Sequence, residues 1–311
     1  ALAAADELPV RVTALLLFGE LDGCGEPAAL LAGLREHRPT PATGPSRWRV
    51  AGVKLFADGI PPMRTAWLRE PYLDGGRGGL LVAGRDEDER LAGLREMIRA
   101  GHSAGCQIGV HATGDRAVAE TVRAFAAAAE ADGAGRRHYV IHGDLIDPDT
   151  LSLMGRSGIG LNAQPRIREA TAGMLRAALG DARAERTTAL RSALAAGVPL
   201  CLSSDGPVLL PDWRADVAAA ALRSRAAGVD ERIGVAAALR AYTAAAAWQD
   251  GAESWKGTVE AGKVADLCVL DRDPLAVAAE QVPDLGIRMT LVAGRIAFDA
   301  GASPGGSSHR A

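Results

Sequence analysis

Lys54, His111, His142 and Asp205 are the residues of this sequence whose types could act together as a reaction site. Each lies in or at the end of a short apolar run: "VAGVKLFAD" (50–58), "CQIGVHA" (106–112), "RHYVIHG" (137–143) and "VPLCLSSDG" (198–206). Asp58 closes the first of these runs, and Gln164 ends a further one, "GIGLNAQP" (158–165). Two imidazoles, a carboxylate and an amine converging on one rim would supply metal ligands and an acid/base group. Taken singly, each has an ordinary explanation. A strand-end histidine is as easily a hydrogen-bonded core ring as a ligand. Lys54 could snorkel its ammonium to solvent, and Asp205, within "SSDGP", could simply turn the chain. Four such residues in register on successive strands favour the joint reading. His37, His102, His138 and His309 fall in helix, loop or tail settings or before a strand end, and are read as structural.

These strand ends need a scaffold. The apolar runs, together with "LPVRVTALLL" (8–17), alternate with amphipathic segments such as "DEDERLAGLREMIRAGHSAG" and "GDRAVAETVRAFAAAAEADG". The first of these opens on acidic residues and ends at glycine, the expected start and stop chemistry of a helix. Strand–helix alternation at this spacing predicts parallel βαβ units, with both sheet faces covered. The fold class is therefore α/β. Six strands of this kind suggest a TIM-like barrel, with its chemistry at the C-terminal strand ends. After the second run comes a long irregular insert, "DGIPPMRTAWLREPYLDGGRGG", a kind of segment that often contacts ligand. Beyond "VAAALRAYTAAAAW", the stretches "KGTVEAGKVADLCVLDRDP" and "IRMTLVAGRIAFD" read as hairpins, with "EAGK" as a turn. The expected organisation is barrel strands over residues 1–253, a small β module over 254–299 and a flexible tail over 300–311.

Composition narrows the function classes. The chain has 311 residues, 48% of them hydrophobic, enough for a sizeable core. Net charge is −3 and there is no basic tract, so neither nucleic acid nor an anionic membrane is an expected partner. No apolar run approaches the ~20 residues of a spanning helix, and the opening "ALAAADELPV" carries no secretory pattern. The four cysteines are far apart, without a C-x-x-C pair. Cys106, Cys201 and Cys268 are expected as buried reduced thiols in apolar runs, with the cytoplasm as the compartment. Of the 35 basic residues only Lys54, Lys256 and Lys263 are lysine. A lysine inside an apolar strand of an arginine-biased chain calls for a role that arginine cannot fill.

The stretches "VKLFADG…RTAWLREPY", "GVHATGDRAV", "YVIHGDLIDPD", "NAQP", "LSSDGPV" and "KGTVEAGKVADLCVLDRDP" together resemble the amidohydrolase superfamily, in order and over nearly the whole chain. Within it they are most similar to the amidohydrolase 3 branch that includes N-substituted formamide deformylase-like enzymes. The resemblance implies a metal-dependent hydrolase on a distorted (β/α)8 barrel with a small composite β-sandwich. It makes the strands here the third to eighth of that barrel, incomplete at its N-terminus, with a C-terminal portion of the sandwich. It implies metal ligation by His111, His142 and Asp205, with Asp205 also the general base. Lys54 would be the carboxylated lysine that bridges two ions. Carboxylation needs a neutral amine, which a buried lysine can supply and arginine cannot. Arg64, Gln164 and Asp115 would position substrate; Asp115 would also cap the helix that follows it.

The resemblance further implies hydrolysis of amide or formamide-like, non-peptide C–N bonds of a small molecule. Water activated by a divalent metal, zinc foremost and as one or two ions, would be the nucleophile. It leaves room for a homo-oligomer. Two departures stand out. Ile141 replaces the acidic neighbour usual before the family's strand-six histidine, and the H-x-H that ends its first strand is absent. The alternative expectation is therefore a non-catalytic fragment or degenerate relative.

Overall fold

The computed structural model describes residues 8–21, 23–40, 44–133, 135–223 and 229–302. Six strands form one sheet in sequence order: β1 (Val12–Leu16), β2 (Trp48–Phe56), β3 (Gln107–Ala112), β4 (Tyr139–His142), β5 (Gly160–Ala163) and β6 (Leu200–Leu202). Every neighbouring pair is parallel. Parallel neighbours need a crossover, and helices supply most of them. They include α1 (Pro27–Glu36), α2 (Glu87–Ser103), α3 (Asp115–Asp132) and α4 (Pro148–Ser157). The six apolar runs all contain strands, and the sheet is the one expected of a TIM-like α/β fold. β1 and β6 are its edges, and among the described residues they do not pair with each other.

Local chemistry explains where the helices start and stop. Asp86 caps α2 by accepting the Glu89 N–H at 2.9 Å, and Glu87, Asp88 and Glu89 place negative charge in its first turn. Asp147 caps α4 in the same way through Thr150 at 2.8 Å, with Pro148 in the first turn. Both α3 and α4 end at left-handed glycines, Gly133 and Gly158. The helices bury one face against the strands: Leu94, Ile98, Val122 and Phe125 join Ile108, Val110, Val140 and Leu161 in a continuous core.

The insert after β2 is irregular, as expected, apart from a short 3₁₀ turn at Pro61–Met63. It is nevertheless firmly packed. Ala66, Leu68 and Tyr72 are buried with Leu145, Leu175, Ala178 and Leu179 in a second, smaller cluster.

The C-terminal strands β7 (Leu267–Leu270), β8 (Ile287–Val292) and β9 (Arg295–Asp299) form an antiparallel sheet. The second expected hairpin is present as β8–β9, turning through Ala293 and Gly294, both at positive φ. The first differs from expectation. A turn does form at Ala261–Lys263, but the residues before it are not a strand, and β7 pairs with β8 instead. Val259 is highly exposed, so that arm has no apolar face to dock. Cys106 and Cys201 are buried, but Cys268 is exposed on its short strand. Of the expected tail, residues 303–311 lie outside the described residues, while Ala300 is tied back to Arg288. No described helix is long and apolar enough to cross a membrane.

Candidate active site

The strand register decides which side chains meet. His111 on β3 lies beside Phe56 on β2 and Ile141 on β4, and Ala112 lies beside His142. The two imidazoles therefore emerge at the C-terminal ends of adjacent strands. Their ring centroids are 4.5 Å apart at an interplanar angle of 68°, an edge-to-face contact. Lys54 on β2 is beside Gly109 on β3, and its Nζ lies 4.6 Å from the centre of the Phe56 ring. Phe56 in turn is 5.1 Å from the His111 ring.

The protons of the pair follow from its surroundings. His111 Nε2 is 3.0 Å from the Gly59 carbonyl oxygen, which only accepts, so Nε2 donates and, when the ring is neutral, Nδ1 carries the lone pair. A backbone carbonyl in this position is also what orients histidine ligands in metal sites. Burial holds the His142 ring well below the ordinary imidazole range, and nearby His111 and Lys54 push it further in that direction. His142 also has φ +73°, unusual for a residue other than glycine. Such backbone persists only where the surrounding structure enforces it, and it clusters at functional positions.

Gln164 follows β5 and is buried. Its Nε2 donates to Ser203 Oγ at 2.9 Å and to the Asn162 carbonyl at 3.1 Å. Among the described residues its Oε1 is buried without a partner of hydrogen-bond geometry, while the side chain is near enough to His142 to oppose the lowering of its pKa. Oε1 is thus an unsatisfied acceptor at the site. Asp205 follows β6 with φ +57°, half-buried, its carbonyl accepting the Val208 N–H.

The other two expected substrate residues have partners in or beside the insert. Arg64 is paired with Asp74 at 2.6 Å across the exposed insert. Asp115 opens α3 and accepts the N–H groups of Arg69 and Arg116 at 3.0 and 2.9 Å. The α3 N-cap is Gly114, one residue earlier than expected, and Asp115 instead fastens the insert to the start of the helix.

Two carboxyl groups near the rim were not assigned a role from the sequence. Asp58 is fully buried and accepts N–H groups from Trp67 at 2.8 Å and from Thr113 and Gly114 at 2.9 Å. Burial raises its pKa to about 7, against the lowering effect of the three amides, with Asp144 adding to the rise. Burial raises Asp144 to about 7 as well. A D-G after a strand reads as a turn, and only the convergence of three backbone donors exposes Asp58 as an anchor.

The donor types suit a divalent metal in part. Two imidazoles, one neutral through burial and one with its tautomer set by a carbonyl, stand beside an unsatisfied amide oxygen and a lysine. Among the described residues, however, no three His, Cys, Asp or Glu side chains close up as a metal cage.

A parallel α/β sheet with its candidate site at the C-terminal strand ends is the arrangement of barrel enzymes. Residues 1–298 match the Amidohydrolase family, and the chain belongs to it. It is 29% identical over 255 residues to the protein YtcJ of Bacillus subtilis (strain 168), covering 79% of this chain and 47% of that one. It is 28% identical over 200 residues to the N-substituted formamide deformylase of Arthrobacter pascens, covering 63% of this chain and 37% of that enzyme. Among solved structures, an uncharacterized metal-dependent hydrolase from Pyrococcus furiosus superposes with a TM-score of 0.71 at 31% identity. That match covers 88% of this chain and 53% of the other. The chain thus spans about half the length, or less, of the relatives it matches.

Proposed function

We propose that this chain carries the strand-end chemistry of a metal-dependent hydrolase of small amides or formamides, acting on C–N bonds other than peptide bonds. The observation that carries this reading is the His111–His142 pair, 4.5 Å apart at adjacent strand ends. The family supports hydrolysis in general, and the formamide deformylase among its relatives supports the choice of bond. His111, His142 and Asp205 would hold a divalent metal, zinc foremost, and Lys54, once carboxylated, would bridge to a second ion. When bound, the metal supplies a Lewis acid and lowers the pKa of water toward ~7.

The residues do the rest. His111 keeps its proton on Nε2, held by Gly59, so Nδ1 is oriented as a donor atom. His142 stays neutral because burial disfavours its charged form. The Asp205 carboxylate takes a proton from the attacking water and delivers it to the leaving nitrogen. Gln164 Oε1 offers an acceptor for a substrate N–H. Arg64 and Asp115 act from the mouth, by shaping and fastening the insert that borders the site. The reading places the protein in the cytoplasm, acting on small molecules without nucleic acid or membrane; assembly into a homo-oligomer is compatible with it.

Metal content after dialysis, compared between the parent chain and a His111→Ala, His142→Ala double variant, tests the site. The parent is expected to retain divalent metal and the variant to lose it; equal retention would remove the assignment. Release of formate from N-substituted formamides, with dipeptides as the comparison, tests the bond. Metal binding without turnover of any amide would favour the non-catalytic alternative, which the absence of a three-residue cage among the described residues also favours.

A further inference from the structure

A second polar cavity lies at the opposite end of the sheet from the histidine pair. It is a cleft of about 400 Å³ at the N-terminal ends of β2 and β3, lined by Arg49, Gln107, Arg136, Arg137, Gln249 and Asp250. Strands advance ~3.3 Å per residue, so Gln107 at this end of β3 is on the order of 13 Å from His111. The cleft is large enough for a small metabolite.

Its charges do not cancel. Arg136 pairs with Asp132 at 3.0 Å and Arg137 with Glu253 at 2.6 Å. The Asp250 carboxylate is engaged by Lys256 and, at 3.3 Å, by Thr13. Arg49 is different. It donates to the Asp250 carbonyl, and among the described residues it has no carboxylate partner. One guanidinium thus enters the cleft with its charge uncompensated and most of its five donors unspent. Arg136 Nε is buried and, among the described residues, has no hydrogen-bond partner. Arg137 is held at φ +53°, with its carbonyl accepting the Gln107 amide at 2.9 Å. A fixed guanidinium, an orphaned donor and uncompensated positive charge make a receptor for an oxyanion, since guanidinium forks match carboxylate and phosphate oxygens.

We propose that this cleft binds a small molecule bearing a phosphate or several carboxylates, at a site separate from the strand-end chemistry. Isothermal titration of the full chain with inorganic phosphate, and separately with citrate, tests this and distinguishes the two sources of the oxyanion. Both are run at fixed ionic strength, so that general screening stays constant. Saturable binding of at least one is expected. Arg49→Gln should weaken it roughly tenfold to a hundredfold, the effect of losing a charge-assisted hydrogen bond. Arg49→Lys should recover part of the loss, and His111→Ala should leave binding unchanged. If circular dichroism shows Arg49→Gln to be unfolded, Arg136→Gln takes its place. No saturable binding of either ion at millimolar concentration, parent-like binding by the glutamine variant, or loss of binding in His111→Ala would each overturn the proposal.

Discussion

His111 and His142 meet edge to face, 4.5 Å between ring centroids, because β3 and β4 are parallel and in a register that sets Ala112 beside His142. Burial first, then the neighbouring His111, and then the Lys54 charge oppose protonation of the His142 ring. Replacing Lys54 by methionine removes one of the cations that oppose protonation. The His142 pKa should therefore rise toward the ordinary imidazole value while remaining lowered by burial. A histidine-ring NMR titration of the parent and Lys54→Met chains reads this directly. An unmoved or lowered His142 titration would show that the two side chains do not communicate.

Asp58 holds three backbone donors from two separate segments, the insert at Trp67 and the β3–α3 turn at Thr113 and Gly114. Asparagine keeps one acceptor oxygen and turns an NH₂ group toward the remaining N–H donors. Asp58→Asn is expected to cost about 2–3 kcal/mol, the penalty of buried polar groups left unpaired. Urea unfolding gives the number, and limited proteolysis should show new cleavage within residues 59–79. A variant as stable as the parent would refute the anchoring role.

Acid should weaken the fold through His138. Its Nδ1 accepts the Ile108 N–H at 3.0 Å, so Nε2 carries the proton and donates to His102 Nδ1 at 2.8 Å, and His102 Nε2 donates to Asp132 at 2.8 Å. Burial first, then the neighbouring His102 and Arg136, lowers the His138 pKa from 6.5 to about 3. In the unfolded chain the ring takes up a proton near 6.5, whereas the folded chain resists until about pH 3. The stabilisation is therefore complete above pH 6.5 and is lost as the pH falls from 6.5 toward 3. At ~1.4 kcal/mol per pH unit its upper bound is roughly 5 kcal/mol. His138→Gln should be less stable at pH 7 but show a shallower fall between pH 6 and 4. An unchanged slope would exclude His138 as a source of the acid sensitivity.

Strand order and strand ends were legible because the β runs are short and apolar and alternate with amphipathic helical stretches. The His111 and His142 positions follow from where those runs stop, whereas Lys54 stands inside its strand. Long-range backbone geometry was not legible. The anchoring by Asp58 depends on amides from residues 67, 113 and 114, which come together only in the folded chain. Arg64 and Asp115 were candidate substrate residues through the family resemblance. Their partners, Asp74 for Arg64 and the Arg69 amide for Asp115, are set by the path of the irregular insert. The arm before Lys263 resembles a strand in composition, but nothing packs on Val259.

Gly52 tests the sheet itself. A Cβ built there would lie 1.9 Å from the carbonyl oxygen of Gln107 on the neighbouring strand. A backbone atom cannot yield as a flexible side chain would, so β2 and β3 would have to separate at their pairing of Gly52 with Gln107. Gly52→Ala is expected to cost about 3 kcal/mol or more, at the upper end for overpacking. Chemical unfolding measures it, and a loss below about 0.5 kcal/mol, within the range of a tolerated surface change, would mean that the strands are not held this closely.

The proposed chemistry makes separate demands on Asp205 and Lys54. If Asp205 moves the proton between water and the leaving nitrogen, Asp205→Asn should lower turnover by at least ~10²-fold, in the usual range for general acid–base catalysis. Its φ of +57° suits asparagine as well as aspartate, so the variant should fold and melt like the parent. If Lys54 works as a carbamate, what matters is a carboxylate at that position rather than the amine. Lys54→Ala should then lose activity that added short-chain carboxylic acids partly restore, and they should restore nothing to Asp205→Asn. The assay belongs on a form of the protein that hydrolyses an amide. Full activity in Asp205→Asn would rule out the base, and Lys54→Ala activity indifferent to added acid would rule out the carbamate while leaving the base intact.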